Sequence, residues 1–332
     1  MSINSKVVQF IKSQGFLVGL FGAVVAALIV PQLGERGGPL KPEITTKLAV
    51  ILTFVIQGLS LPTRQILKSA MKFRLHAYCQ ISAFAVAPLL MLGTLFLVGD
   101  WIHESIRYGF IYLAVLPTTI SSAIVMTTNA NGDSSSALFS TTLSNILGIF
   151  ITPLFCAQLI GTTSGGFPPV GPLISKLSIL ILLPLIAGQL IRPFVREWAQ
   201  SSKKLFKRLS NGFIVFIVFA AFCNSVQSGV WQSVGFLALI KTFLLVSAFL
   251  GLFSVLVWSA SPIGASNYSE RITILFCGSQ KTLAAGVPMA AVIFAETSGN
   301  VNPGLIILPI MCYHPMQLFL AGYLVGRFNK QR

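Results

Sequence analysis

A lysine in the middle of an apolar run is the residue of this chain best placed to do chemistry. Lys281 belongs to FCGSQKTLAAGVPM (276–289), where Ser279, Gln280 and Thr282 are its polar neighbours. Placing an ammonium near the centre of a bilayer costs about 3 kcal/mol, so a lysine there indicates function. Three roles are open: attracting an anionic substrate group, releasing a proton, or acting as a fixed cation between the ends of broken helices.

A second run, LPTTISSAIVMTTNANGD (116–133), has a similar composition. Pro117 lacks a backbone N–H and is followed by hydroxyl side chains that include Ser121 and Ser122. Interrupted helices leave backbone groups unpaired, which a membrane tolerates only against protein or a water-filled cavity. A matched pair of interrupted spans therefore predicts a binding site. The alternative for this run is that its hydroxyls bond back to the preceding helical turn.

Other polar side chains in apolar runs are weaker candidates for binding. Gln80, Thr141 and Thr142 carry neutral oxygens of the kind that bind hard cations or polar solutes. His314, in CYHPMQL, could relay protons or bond a substrate, although packing is the favoured interpretation for a lone histidine.

Catalytic and metal-binding patterns are missing from the sequence. All eight Asp and Glu residues lie in connectors or at the ends of apolar runs, and none of the five cysteines has metal-ligand spacing. No nucleophile and base pair falls within an apolar run. We therefore predict neither an enzyme nor a resident cofactor, and a sodium ion is the one candidate inorganic ligand.

The composition indicates a protein that lies in a lipid bilayer. The chain is 54% hydrophobic and only 9% charged, which excludes a soluble domain. Its formal charge of +15 does not indicate nucleic-acid binding, because the basic residues lie between apolar runs. Ten of these runs are long enough for helical spans: Phe16–Leu33, Thr45–Leu61, His76–Val98, Tyr108–Ala130, Ser134–Ile160, Leu173–Val195, Ser210–Val226, Gly235–Ala260, Ile272–Ala295 and Gly304–Gly326.

The connectors predict the topology of these spans. Most of the 23 Lys and Arg residues fall on one side if the chain begins in the cytoplasm and crosses ten times. This predicts a multi-pass protein of the plasma (inner) membrane with both termini cytoplasmic, and it makes no prediction of oligomeric state. The Gly/Pro-rich linker 162–172 separates residues 1–161 from residues 173–332. Five spans on each side predict two inverted repeats within one transporter domain, 1–332.

Five motifs together resemble the bile acid:sodium symporter superfamily, and more closely its SBF-like branch. They are GGPLKPEIT (37–45), QGLSL (57–61), LPTTISSAI (116–124), FCGSQKTLAAGVPM (276–289) and YHPMQL (313–318). The resemblance implies an all-α fold of ten transmembrane helices divided into a panel domain and a core domain. It also implies that helices four and nine are unwound where they cross, and that transport uses elevator-like alternating access.

The resemblance carries over to individual site residues only in part. Matching positions imply candidate sodium ligands at Gln80, Ser122, Thr141, Thr142 and Gln280. The acidic residue of the symporter signature falls on Phe276, and the substrate-side asparagine falls on Lys281. Together these two replacements change the local charge by two units, which argues against coupling to two sodium ions.

These observations favour a secondary transporter of a small organic anion or metabolite, in which Lys281 replaces one coupling cation or contacts the substrate. A regulator of ion (calcium) homeostasis that acts through a partner is the alternative from another class. A proton-coupled carrier or a uniporter is also open. The residues predicted to form the binding site are Gln80, Ser121, Ser122, Thr141, Thr142, Ser279, Gln280, Lys281, Thr282 and His314.

Overall fold

The computed structural model describes residues 15–60, 70–160, 169–295 and 302–330, and in these ranges the chain is helical without strands. The helices are α1 (Gly15–Ile29), α2 (Pro42–Ser60), α3 (Phe73–Trp101), α4 (Glu104–Val115), α5 (Ser121–Asn129), α6 (Ser134–Leu159), α7 (Gly171–Ile191), α8 (Arg196–Ser201), α9 (Lys203–Gln227), α10 (Gly235–Ile263), α11 (Tyr268–Ser279), α12 (Leu283–Ile293) and α13 (Pro303–Lys330).

Within the described ranges, seven helices are individually long and apolar enough to cross a membrane. They are α2, α3, α6, α7, α9, α10 and α13. The prediction of an all-helical, multi-pass membrane protein is confirmed at this level. Residues 1–14 and 61–69, predicted to be partly cytoplasmic, lie outside the described residues, as do positions 162–168 of the predicted linker. Residues 170–172, also predicted as linker, are already helical.

Two predicted spans are each divided into a pair of short helices. Between α4 and α5 the chain is non-helical at residues 116–120, where Leu116 adopts extended backbone angles and Pro117 cannot donate a hydrogen bond. Between α11 and α12 the break covers residues 280–282, and Gln280 is likewise extended. Pro288 of the same apolar run lies inside α12 and not at the break.

Both α3 and α7 contain one wide helical turn of the π type. The turns cover Ser82–Val86 and Ser178–Leu182, and each directly precedes a helical segment that has proline in its first two positions. A proline has no N–H to donate to the preceding turn, and the wider turn accommodates it. The π turn of α3 also leaves a carbonyl, that of Ala83, able to accept a hydrogen bond from elsewhere.

Two compact units divide the described chain. The first comprises the residues up to Leu61, Ile179–Ser233 and Val287–Val292. Within it, α2 and α7 approach at Gly58 and Gly188, where an added Cβ on either would overlap the opposing backbone. The side chain of Gln189 donates to the Gly58 carbonyl at the same point. This unit therefore depends on two glycines for the close contact of its helices.

The second unit comprises Pro62–Ser178, Val234–Gly286 and Ile293–Arg332. It contains both breaks, together with α3, α6, α10 and α13. Within this unit α13 packs along α4 and also contacts α5. The side chains predicted to form the binding site all belong to this unit.

Candidate functional site

Lys281 lies in the break between α11 and α12 and is completely buried, with 0% of its surface exposed. Its Nζ donates to the carbonyl oxygens of Ala83 at 2.7 Å, Ala114 at 2.6 Å and Leu116 at 2.8 Å. An ammonium has three N–H donors, so all of them are used within the protein. Lys281 is thus satisfied by neutral oxygens.

The three acceptors come from places where helical hydrogen bonding is interrupted. Ala114 and Leu116 stand at the C-terminal end of α4, where carbonyls lack partners one turn ahead and the helix dipole is negative. Ala83 lies in the π turn of α3. The oxygens therefore form a site for a cation, and the Lys281 ammonium occupies it. This arrangement corresponds to the fixed-cation role considered from the sequence.

The two breaks contact each other directly. The backbone N–H of Thr282 donates to the Pro117 carbonyl at 3.0 Å, which joins the second break to the first. The side chain of Thr282 also accepts from the N–H of Ala285 at 3.2 Å and so caps the start of α12. Ser122 at the start of α5 donates to Gln280 Oε1 at 2.9 Å. The structure therefore brings Ser122, Gln280, Lys281 and Thr282 together.

Helix α13 holds the second break in place with two side chains that sequence reasoning did not select. Gln317 accepts from the Lys281 N–H at 2.8 Å through Oε1, and its Nε2 donates to the Lys281 carbonyl at 2.9 Å. Tyr313 donates its hydroxyl hydrogen to the Ser279 carbonyl at 2.7 Å. The spacing of Tyr313 and Gln317 in YHPMQL puts both on one helix face, which is the signal that could have revealed them.

Three of the predicted hydroxyls, on α6 and α11, bond within their own helices. Thr141 and Thr142 both donate to the Leu138 carbonyl, at 3.2 and 2.7 Å, and Ser279 donates to the Leu275 carbonyl at 2.6 Å. The back-bonding interpretation, raised for the first break, therefore applies to these three hydroxyls. Ser121 is exposed. None of these hydroxyls has a hydrogen bond to Lys281.

Three further contacts tie α6 to this region. Asn145 donates to the carbonyls of Thr118 and Thr141, each at 2.8 Å, and Ser144 accepts from the Thr118 N–H at 3.1 Å. Gln80 of α3 donates through Nε2 to the Ser140 carbonyl at 3.0 Å. α6 thus satisfies backbone groups of the first break and orients the predicted glutamine.

Several buried polar atoms of this region have no hydrogen-bond partner within the described chain. They are Gln80 Oε1, Thr118 Oγ1 and Gln280 Nε2. Buried polar atoms are nearly always paired, with protein groups or with ordered water, and leaving one unpaired costs about 1–3 kcal/mol. The unpaired oxygens of Gln80 and Thr118 are neutral acceptors that suit water, a polar solute or a hard cation.

A second lysine of the same unit has a different environment. Lys72, just before α3, bonds Asp133 and Glu270 at 2.7 Å each. Asp133 also caps α6 by accepting from the N–H groups of Ser135 and Ser136. Burial alone would raise the pKa of Asp133, but the hydrogen bonds from Lys72 and Ser136 outweigh it and lower the pKa to about 2.

A family model supplies the identification. The model of the SBF-like CPA transporter family matches residues 14–330. The chain belongs to this family. The resemblance stated from the motifs is therefore confirmed, and this SBF-like protein is a transporter-family membrane protein and not an enzyme.

Named relatives agree with the family assignment. "Sodium/bile acid cotransporter 7" of Mus musculus is 30% identical over 95% of this chain and 92% of its own length. "Putative symporter YfeH" of Escherichia coli (strain K12) is 32% identical over 95% of this chain and 93% of its own length. The similarity therefore extends over nearly all of the SBF-like chain in both an animal and a bacterial relative.

Proposed function

We propose that this SBF-like protein carries a small organic anion or metabolite across the membrane by alternating access. Each interrupted pair, α4 with α5 and α11 with α12, counts as one span. Together with α1 and the seven long helices, these pairs make the ten spans that we propose, with both termini in the cytoplasm. The two inverted repeats, 1–161 and 173–332, would then contribute one break each. The presence of two compact units in the described chain supports a panel and a core that move as bodies.

The observation that carries the proposal is the position of the Lys281 ammonium. It takes the place of a bound cation, coordinated by three carbonyl oxygens at helix interruptions. Carriers built from broken helices place helix ends, with their partial charges, at the sites of substrates and coupling ions. We propose that Lys281 supplies permanently the positive charge that a sodium symporter obtains from a coupling ion.

Electrostatics supports a weaker requirement for sodium in this protein. A sodium ion about 4 Å from the Lys281 ammonium would be repelled by about 4 kcal/mol at an effective dielectric of about 20. The position of the signature carboxylate holds Phe276, which is buried and packs its ring edge-on toward Phe328. Of the candidate sodium ligands Gln80, Ser122, Thr141 and Gln280, only Gln80 offers a buried oxygen without a partner.

Uptake into liposomes tests the proposal. Purified protein would be reconstituted alone, and accumulation of labelled taurocholate, benzoate and succinate would be measured with sodium outside and again with potassium. We expect saturable uptake of at least one anion at similar rates in both salts. The variant Lys72→Met, which changes a lysine outside the site, should retain uptake, whereas Lys281→Met should lose it.

Three outcomes would contradict parts of the proposal. Absence of uptake of every anion by folded protein would favour the regulator that acts through a partner. Uptake that requires sodium strictly would show that Lys281 does not replace the coupling ion. Equal uptake by Lys281→Met and the unaltered protein would remove Lys281 from the transport mechanism.

A further inference from the structure

The side-chain amide of Gln317 makes three hydrogen bonds in the interior of the second unit. Two connect it to the backbone of Lys281, and in the third its Nε2 lies 2.9 Å from Nδ1 of His314. His314 is one turn earlier on α13 and is 9% exposed. The amide thus links a titratable ring to the non-helical linker between α11 and α12.

The orientation of this amide is determined by the backbone. A backbone N–H can only donate and a carbonyl can only accept, so Oε1 must face the Lys281 N–H and Nε2 must face the Lys281 carbonyl. The second hydrogen of Nε2 then points to His314. Nδ1 must accept this hydrogen bond, so it carries no proton in this conformation.

We propose that His314 is a proton-binding site of this carrier, and that its protonation disrupts the two hydrogen bonds between the Gln317 amide and the backbone of Lys281. We call these two hydrogen bonds the clamp. The proposal rests on the proposed carrier function and adds protons as the coupling ion. The sequence placed His314 among the candidate binding residues but favoured packing for its ring, since nothing in the sequence showed which donor the ring would meet.

A protonated His314 cannot coexist with the three bonds of Gln317. With both ring nitrogens protonated, the N–H at Nδ1 would point at the NH₂ group of the amide. Turning the amide over would satisfy His314 but would set NH₂ against the Lys281 N–H and oxygen against the Lys281 carbonyl. Either orientation loses at least one hydrogen bond, and so proton binding opposes the clamp.

Several titratable groups lie on the elements around His314, and His314 is the one among them that responds to the change of pH. Lys281 directs its ammonium to three carbonyls, and the hydroxyls of Tyr112 on α4 and Tyr313 on α13 donate to backbone carbonyls. α5 has no titratable side chain, and Cys312 is the neighbour on α13 itself.

The carboxylates and the outer charged groups of these elements lie at helix ends. The described carboxylates of α4 and α11 are Glu104 and Glu270, which are bonded by Tyr108 and Lys72. Arg107 of α4 donates to the Gly99 carbonyl, Arg271 of α11 to Ser261, and Lys241 of α10 to the Trp101 carbonyl.

Loss of the clamp would affect the contact between the two breaks. The same linker bonds α4 through the Lys281 ammonium and the first break through the Thr282 N–H. Freed from Gln317, it could change its backbone angles while the ammonium stays with α4. A proton would in this way bias the conformation of the site that alternating access must rearrange.

Hydrogen–deuterium exchange in nanodiscs tests the clamp without any substrate. The Lys281 amide would be followed between about pH 8 and about pH 3, a range wide enough for a buried histidine to titrate, with protection corrected for intrinsic exchange. We expect protection to fall about tenfold as the pH is lowered, the effect of one ordinary hydrogen bond. In His314→Asn, whose carbonyl oxygen replaces Nδ1 as a non-titrating acceptor, protection should stay high at every pH.

The matched control is another histidine of the same unit. His103 caps α4 by accepting from the Ser105 N–H through Nδ1, and asparagine is an equally good cap. His103→Asn should therefore keep the pH dependence of the unaltered protein. Protection that does not change with pH, or the same pH-dependent loss in His314→Asn, would overturn the proposal.

A second measurement covers the case in which His314→Asn does not fold. Nitrogen NMR of labelled histidine in the unaltered protein should show an unprotonated Nδ1 at neutral pH. Its protonation must follow the same pH interval as the loss of Lys281 protection, and a different interval would overturn the proposal. Failure of either measurement removes the proton site alone, whereas absent uptake with an intact pH response removes the carrier proposal alone.

Discussion

Two lysines of the second unit differ in how their charge is balanced. Lys72 lies at the helix ends, its side chain is 43% exposed, and two carboxylates contact its ammonium. Lys281 is fully buried and contacts three carbonyl oxygens. Carboxylates cancel the positive charge of Lys72, whereas carbonyl dipoles stabilise the charge of Lys281 without cancelling it. Among the described residues, Lys281 is thus balanced by dipoles and Lys72 by charges.

The largest expected difference between the two lysines is in stability. Lys281→Met leaves three buried carbonyls without a donor and should lower the free energy of unfolding by about 3 kcal/mol. Lys72→Met removes a partly exposed ion pair and should cost about 1 kcal/mol or less. Chemical denaturation in mixed micelles would measure both values. Equal losses would mean that the burial of Lys281 does not make its contacts stronger.

An intermediate effect on stability is expected from acid, and among the two lysine sites only at the cluster of Lys72, Asp133 and Glu270. The pKa of Asp133 is lowered from 3.8 to about 2, so its contribution to stability is present above about pH 4 and is lost as the pH falls toward 2. After a discount for solvent exposure, this contribution is about 1–2 kcal/mol.

Asp133→Asn is the variant that isolates this contribution. It should remove the part of the acid-induced loss of stability that comes from Asp133, as followed by thermal unfolding at a series of pH values. Glu270 should keep its own part, because burial raises its pKa but the hydrogen bonds from Lys72 and the Ser266 N–H outweigh burial and lower it. An unchanged acid response in that variant would assign the effect to another carboxylate. Lys281 has no carboxylate partner among the described residues, so its contacts should not contribute to this response.

The smallest effect concerns the support of the second break. Tyr313→Phe removes the hydrogen bond to the Ser279 carbonyl and should cost about 1 kcal/mol. Tyr323→Phe, on the same helix but 68% exposed, should leave stability unchanged. The two melting temperatures give the comparison. A Tyr313→Phe variant as stable as the Tyr323→Phe variant would show that the break does not need this support.

The residues of the site were predictable to different degrees. Lys281, Gln280, Thr282 and Ser122 stood out because polar side chains and helix-breaking residues are rare in apolar runs. Tyr313 and Gln317 were missed because an aromatic and an amide on a long helix have many uses. Their role depends on which backbone groups of another segment lie opposite, and no pattern along α13 records that.

The amino-acid sequence by itself determined that the chain is helical and lies in a membrane, because apolar runs of this length must satisfy their own backbone in lipid. It also determined where two helices are interrupted, because proline and polar residues weaken helices locally. Only the tertiary structure decided what Lys281 contacts. Its three carbonyl acceptors come from α3 and from the end of α4, and both helices are distant from Lys281 in sequence. Packing therefore decides whether the ammonium of a lysine meets a carboxylate, as in Lys72, or a helix end, as in Lys281.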